Sequence, residues 1–375
     1  MVNDIKYTPI LKWKKAEEGA IKDLSNSQKD SILPMFEFIR PTQVSKTAKN
    51  LGITNAEDEL VRRLSGTIPK DILLSWGDGR LFFADFTLIE PIKTRMKFSN
   101  NFIQNSCKLY LEPIPVVNLS ADASEYIKNI VTLSIKYLKS NICIRFNKAD
   151  LIDAGLINKK LSEFCNDYKL APDSISVFID LKEDINIGCF EKAMFALKDI
   201  ETPKNYMNII IASGAFPEDM SKITTEDDRR DRIDWYNWSH NKSKWYNLLR
   251  YPAFADYTVR HPIYNEKAEH YRATATIKYT LDTEWRFFKG QVGKYEMCLA
   301  YASALREDRD FLGRDYSAGD KYIDDKGLYY YEYVREVNKN PTKKVEGTGN
   351  ATQWIRAGIN HHIAVVVDQV ANLGV

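Results

Sequence analysis

One phrase recurs along the first two-thirds of the chain: a run of four to seven apolar or β-branched residues, a polar residue near its carboxyl end, then a polar stretch with helical spacing. Eight runs carry it, at residues 7–11, 32–38, 81–87, 114–119, 142–146, 175–181, 207–212 and 255–261. That is the rhythm of βα units. Runs such as Ile209-Ile210-Ile211 and Val177-Phe178-Ile179 do not alternate with polar residues. Both faces of such strands must therefore be covered, as in a parallel sheet with helices outside. Helical spacing at 16–24, 123–138, 158–168 and 188–197 supplies covering elements. The eightfold count favours a closed (β/α)8 TIM-barrel-like α/β core over an irregular doubly wound sheet. One interruption is expected: 72–76 and 81–86 read as a hairpin about Gly77-Asp78-Gly79-Arg80.

After His261 the style changes. Residues 273–280 alternate Thr274, Thr276 and Lys278 with Ala275, Ile277 and Tyr279, and 285–288 supply a second arm, which predicts an antiparallel hairpin. A helix over 293–306, a Gly-, Asp- and Tyr-rich stretch to Lys344, and a helix starting near Thr352 follow. The run Val365-Val366-Val367 leaves the second half of that last element open between helix and strand. The reading is a barrel-like domain over 1–261 and a C-terminal α+β appendage over 262–375 that packs on the barrel and contributes to its site.

Charge and cysteine content narrow the function. With 53 Lys+Arg against 51 Asp+Glu the net charge is +2, so no field covers the whole chain of the kind that marks a dedicated nucleic-acid binder. Five cysteines without a C-x-x-C pair, Cys107, Cys143, Cys165, Cys189 and Cys298, suggest reduced thiols in a cytoplasmic protein. No apolar run approaches the roughly 18 residues of a membrane helix, so no membrane partner is expected. No cofactor is expected either.

In parallel α/β folds the ligand lies at the carboxyl ends of the strands. The candidates there are Lys12, Glu37, Asp85, Asn118, Arg145, Asp180, Ser213, Arg260 and His261. Carboxylates and cations interleaved around one rim suit acid–base work on, or clamping of, a charged ligand. Glu37, Asp85 and Asp180 are the expected bases or acids; Lys12, Arg145 and Arg260 are the clamps. Each could equally cap a helix or form a structural ion pair. In the tail, glycines before a helix start let backbone N–H groups approach an anion, so Gly347, Gly349, Thr352 and Arg356 could hold a phosphate or carboxylate, with Thr352 as the alternative N-cap. One of His361 and His362 is read as a proton shuttle facing the site; adjacent positions on a helix do not suit metal ligation, and no metal is expected. Lys289 and Asp320, at turn-like Lys289-Gly290 and Gly319-Asp320, could complete the pocket from the appendage. Residues 229–250 interleave Arg229, Arg230, Arg232, Lys242, Lys244 and Arg250 with Trp235, Tyr236, Trp238, Trp245 and Tyr246, which suits either base stacking or the buried stripe of a helix through Trp235, Trp238, Trp245 and Leu249.

Several strings carry a resemblance. Tyr7-Thr8-Pro9-Ile10-Leu11-Lys12, Leu33-Pro34-Met35-Phe36-Glu37, Asp234-Trp235-Tyr236-Asn237-Trp238, Phe254-Ala255-Asp256-Tyr257, Tyr316-Ser317-Ala318-Gly319-Asp320 and the tail from Gly349 through His362 resemble the beta protein family of tailed phages and bacteria. The resemblance spans nearly the whole chain. It implies a protein of phage, mobile or defence-related genes, and it carries over no catalytic residue. The residues themselves predict a site for an anionic, nucleotide-like or nucleic-acid-derived ligand at the barrel rim, with acid–base or hydrolytic chemistry if the protein is an enzyme. The alternative is a non-catalytic interaction protein gripping a phage or host macromolecule through 229–250.

Overall fold

A buried parallel strand sends alternate side chains to the barrel interior and to the helix layer. In the computed structural model, which describes residues 7–40, 56–119, 123–153, 155–241, 248–265, 273–340 and 346–373, this alternation is carried through eight strands. They are β1 (Tyr7–Lys12), β2 (Met35–Glu37), β3 (Leu81–Asp85), β4 (Glu112–Val117), β5 (Ile142–Asn147), β6 (Ile175–Asp180), β7 (Asn208–Ala212) and β9 (Ala253–Asp256), and they close into one parallel barrel in chain order. Barrel closure is made by β1 pairing with β9, Thr8 opposite Ala255. The expected barrel is thus present, with its last strand shorter and earlier than 255–261.

Inward-facing positions stack in layers. Ile10, Met35, Phe83, Ile114, Cys143, Phe178, Ile210 and Ala253 fill the middle. Below them Asn208 Nδ2 donates to Ser176 Oγ at 3.0 Å. Continuing the same alternation upward places Lys12, Glu37, Asp85, Asn118, Arg145, Asp180 and Tyr257 at the carboxyl mouth. Register aligns them: Lys12 is opposite Glu37 and Glu37 opposite Asp85.

The helices around the barrel include α1 (Lys15–Lys22), the short α2 (Asn26–Asp30), α3 (Ala56–Ser75), α4 (Ile92–Lys108), α5 (Ser124–Tyr137), α6 (Leu156–Tyr168), α7 (Ile187–Lys198) and α8 (Ile233–His240). The expected hairpin arm 72–76 is the last turn of α3 and the residue beyond it. Gly77 and Gly79, with φ of 102° and 64°, form the loop from that helix into β3 instead of a strand reversal.

The remaining strands form an antiparallel sheet in the order β10 (Thr274–Thr280), β11 (Glu284–Val292), β8 (Asp227–Asp231). The expected hairpin is present; Lys289-Gly290 lies within β11 rather than at a turn. Ala275, Ile277, Tyr279, Phe288, Leu299, Ile323 and Trp354 form its core with three helices: α9 (Glu296–Arg306), α10 (Ala318–Lys339) and α11 (Ala351–Asn372). The stretch that reads as turn-rich is the 22-residue α10. Its glycines serve close helix approach: a Cβ on Gly319 would lie 2.2 Å from the Ala357 carbonyl oxygen, and one on Gly327 2.9 Å from that of Ala302. Helix α11 runs unbroken through Val365–Val367 and docks on α1, where Asn360 Nδ2 donates to the Ala20 carbonyl at 3.0 Å. It thereby covers the outer face of the barrel between β9 and β1. No helix among the described residues is long and apolar enough to cross a membrane.

Candidate functional site

Five predicted residues meet at the mouth around one guanidinium. Arg145, rising from the middle of β5, places Nη1 on Asp85 Oδ2 and 2.9 Å from Glu37 Oε1, while Nη2 lies 2.6 Å from Asp180 Oδ2 and Nε donates to the same oxygen at 3.0 Å. Nη2 also donates to Tyr257 Oη at 2.8 Å, and that hydroxyl donates to Asp180 Oδ2 at 2.8 Å. Asp85 spends its other oxygen on Thr87 N and Oγ1, at 2.8 and 2.6 Å. Asp180 spends its own on Lys182 N at 3.0 Å. Two ammonium groups complete the cluster. Lys182 Nζ lies 3.1 Å from Asp180 Oδ2 and 3.6 Å from Glu37 Oε1; Lys12 Nζ lies 3.8 Å from Glu37 Oε2. Both sit over the Tyr257 ring, Lys12 at 5.0 Å and Lys182 at 5.1 Å from its centre.

These partners divide the roles differently from the sequence expectation. Arg145 is consumed by its neighbours and organises the carboxylates rather than clamping a ligand. Asp85 and Asp180 are saturated. Glu37, 1% exposed, has no aligned hydrogen-bond donor on either oxygen, although three cations surround it. A buried carboxylate with unspent lone pairs is costly unless something else donates to it. Asn118 Oδ1, at the end of β4, is also buried without a donor. Burial pushes the Glu37 carboxyl up, but Lys182, Arg145 and Lys12 outweigh it and hold the group at about 2. The same balance, burial against Lys182 and Arg145, keeps Asp180 below its ordinary range. Burial draws the Lys12 ammonium down to about 8, Glu37 opposing. At neutral pH the group nearest to exchanging a proton is therefore Lys12, not Glu37. Beside the cluster a hollow of about 520 Å³ opens between Asn147, Lys148, Asp180, Lys182, Asp184 and Ile263. Sequence reasoning passed over Lys182 because it lies beyond the strand, and Tyr257 because the last strand was placed too late. Lys182 holds φ of 54°, a left-handed conformation uncommon outside glycine, at the point where its side chain meets the mouth.

Other predicted residues lie elsewhere. Arg260 Nε donates to the buried Glu17 of α1 at 3.0 Å. Lys12 reaches the loop after β9 through the carbonyls of His261 and Pro262, at 3.0 and 3.1 Å. Ser213 is buried at the end of β7. Lys289 Nζ donates to the Ile223 carbonyl at 2.6 Å and ties β11 to the chain leading into β8.

The terminal histidines, expected over the mouth, are fully buried in the seam between α11, β10 and the outer face of β9. His361 places Nδ1 2.8 Å from Asp320 Oδ2 and Nε2 2.9 Å from the Thr280 carbonyl, so both ring nitrogens face acceptors. His362 Nε2 lies 2.8 Å from Asp256 Oδ2, with Nδ1 2.9 Å from Thr280 Oγ1. Burial lowers the His362 pKa, Asp256 opposing, which favours a neutral ring donating to Asp256 and accepting from Thr280. This Asp–His–Thr string has triad-like connectivity but no access, and it serves as a buried seam. Asp320 is a helix-start anchor that also takes hydrogen bonds from Tyr279 Oη at 2.7 Å and Ser317 Oγ at 2.5 Å.

The tail glycines hold no anion cradle of the expected form. Asn350, not Thr352, caps α11 by accepting from Gln353 N at 3.1 Å. Gly347 and Gly349 adopt positive φ where a Cβ would strike Tyr329 and Tyr322. Arg356 is spent on a bidentate pair with Asp23, both contacts at 2.6 Å. Among the described residues, no group of three or more His, Cys, Asp or Glu is placed to hold a metal ion.

In the basic aromatic segment, Trp235 and Trp238 are core. Trp235 packs edge-on to Phe254 at 5.2 Å, and Trp238 Nε1 donates to the Pro252 carbonyl at 3.1 Å. Leu249 is exposed, so the predicted stripe stops short, and Lys242, Lys244, Trp245 and Tyr246 lie outside the described residues. Trp238→Ala is expected to cost about 3 kcal/mol and to lower the melting temperature. An unchanged melting temperature would return the ring to a surface role.

A second lysine lies outside the mouth. Lys278 of β10 donates to the Val259 carbonyl at 3.1 Å above the Phe216 ring, and burial lowers it to about 7, with Arg260 adding to the effect and Glu17 opposing. The unfolded chain keeps this proton up to about its ordinary 10.5, so it binds more protons than the folded protein between about 7 and 10.5, and stability rises with pH through that window. Urea midpoints should climb across it for the natural protein and climb less for Lys278→Met. Equal slopes would refute the assignment.

A closed parallel barrel carrying a charged strand-end mouth defines the class: an α/β barrel of the (β/α)8 type with a polar recess on its carboxyl face. The sequence matches the Beta protein family over residues 7–368, and the chain belongs to that family. Comparison with curated proteins and with solved structures gave no match.

Proposed function

We propose that the barrel mouth binds a small anionic ligand, with Lys182 meeting its charge and Glu37 accepting a hydrogen bond from a hydroxyl, amine or water brought with it. The observation that carries this reading is the Glu37 carboxylate, buried among three cations with no aligned donor on either oxygen, while the carboxylates of Asp85 and Asp180 are saturated. The hollow beside Lys182 supplies the approach, and a ligand entering there would displace the Lys182 side chain to reach Glu37. Acid–base chemistry in the mouth would run through Lys12, with Glu37 as the fixed countercharge. A nucleotide or nucleic-acid ligand loses its main support, because Trp235 and Trp238 are committed to the core. Gripping of a macromolecule through 229–250 loses the same support. In the phage or bacterial conflict setting that the family resemblance implies, the protein would act on a small molecule.

The test is thermal melting against pyruvate, inorganic phosphate and acetate, with glycerol as the uncharged control. At least one anion should raise the melting temperature of the natural protein, and Lys182→Met should lose that rise while remaining folded. Equal shifts in both proteins would refute the reading.

A further inference from the structure

We propose that Lys12 is a reactive amine that condenses with a carbonyl group on the ligand, so that the mouth takes small oxo acids or similar carbonyl-bearing anions. The inference rests on the mouth being the ligand site proposed above. Its geometric basis is the set of partners around Nζ. Two of its three hydrogen directions are fixed by the carbonyls of His261 and Pro262, at 3.0 and 3.1 Å. The third is left for Glu37 Oε2, 3.8 Å away in the mouth. Loss of that third proton to water leaves the lone pair facing Glu37 and the mouth, while the two loop carbonyls hold the nitrogen in place. Lys12 is 7% exposed, and Lys182 shares the Tyr257 ring with it, so a desolvated amine sits beside a second cation. Those are two conditions that activate lysine as a nucleophile. The drop in its proton affinity, to about 8, agrees with this environment.

In the step itself the Lys12 nitrogen adds to the carbonyl carbon to give a carbinolamine. The carbon–oxygen bond then breaks, and the oxygen leaves as water with the two amine hydrogens, producing an imine. Solvent at the mouth relays those protons to the departing oxygen, while Glu37 stays ionised as the countercharge. No oxidant or reductant is needed. Lys182 holds the ligand's carboxylate, which sets the carbonyl carbon toward Lys12.

Lys278 provides an internal control. It is another lysine with lowered proton affinity, but it lies over the Phe216 ring, bonded to the Val259 carbonyl, and does not face the mouth. Lowered affinity alone would mark both lysines; a site marks only Lys12.

The full chain is incubated with pyruvate and cyanoborohydride, which reduces an imine to a stable secondary amine, then digested and mapped by mass spectrometry. A single reduced pyruvyl adduct at Lys12, at least tenfold above Lys278 and absent from Lys12→Arg, is the expected result. Arginine keeps the donors to the two loop carbonyls and cannot form the imine, so the variant tests reactivity rather than folding. Pyruvate that raises the melting temperature through Lys182 yet leaves no adduct at Lys12 would overturn this inference and leave the binding reading standing. Adduct at Lys12 with neutral acetone but none with pyruvate would overturn the oxo-acid assignment together with the anionic reading. Equal labelling of Lys12 and Lys278 would also overturn it.

Discussion

Arg145→Met is expected to lower the unfolding free energy by about 5 kcal/mol at neutral pH, the upper part of the range for breaking a buried ion pair. Three carboxylates from three strands, Glu37, Asp85 and Asp180, converge on this guanidinium, and each is at most 2% exposed. Methionine fills a similar volume but answers none of those charges. The loss should therefore be electrostatic and should shrink as the pH falls, because protonated carboxyls no longer need the cation. Arg145→Lys keeps the charge but not the planar fork that reaches Asp85 and Asp180 together, so it should recover only part of the stability. Urea denaturation of the three proteins across an acid-to-neutral series measures this. A loss of the same size at every pH would make Arg145 a packing residue and remove it from the centre of the mouth.

Asp320→Ala should cost about 4 kcal/mol, since it strands several buried donors at once. Tyr279 Oη, Ser317 Oγ and His361 Nδ1 all direct hydrogens at this one carboxylate, which is fully buried. Burial pushes its pKa up, but His361 and the hydroxyl donors prevail and hold it below the ordinary range. Both α10 and α11 depend on it, so loss of the carboxylate should loosen the appendage and uncover α1. Faster amide exchange in α11 than in the barrel strands, together with the fall in melting temperature, is the expected signature. A variant that melts like the natural protein would show that the His361 seam contributes nothing to docking of the last helix.

How much of this was legible in the sequence follows from which signals are local. The barrel was, because its eight apolar runs each need cover on two faces, and that requirement is written within a few residues. Lys12, Glu37, Asp85, Arg145 and Asp180 were found by the same rule, since strand ends place polar groups at the mouth whatever the loops do. Arg260 was misjudged because β9 ends at Asp256, which carries Arg260 out of the alternation and onto Glu17. Gly319 looked like a turn signal, yet its purpose is the close approach of Ala357, which only the packed helices reveal. His361 and His362 were unusual enough to suggest chemistry. Burying a histidine pair against Asp320, Asp256 and Thr280 is a tertiary arrangement with no local mark. Lys182 and the saturation of Arg145 belong to the same class, because who spends which lone pair is decided by side chains more than 30 residues apart.

Glu37 keeps acceptor capacity that a ligand uses. A high-resolution crystal structure grown with whichever anion raises the melting temperature tests it most directly. A ligand atom or its accompanying water should lie about 2.6–3.2 Å from a Glu37 oxygen, with Lys182 moved onto the anion and the Arg145 pairs to Asp85 and Asp180 unchanged. Ligand density outside the mouth, with Lys12 or Lys182 closing to hydrogen-bond Glu37 directly, would contradict it.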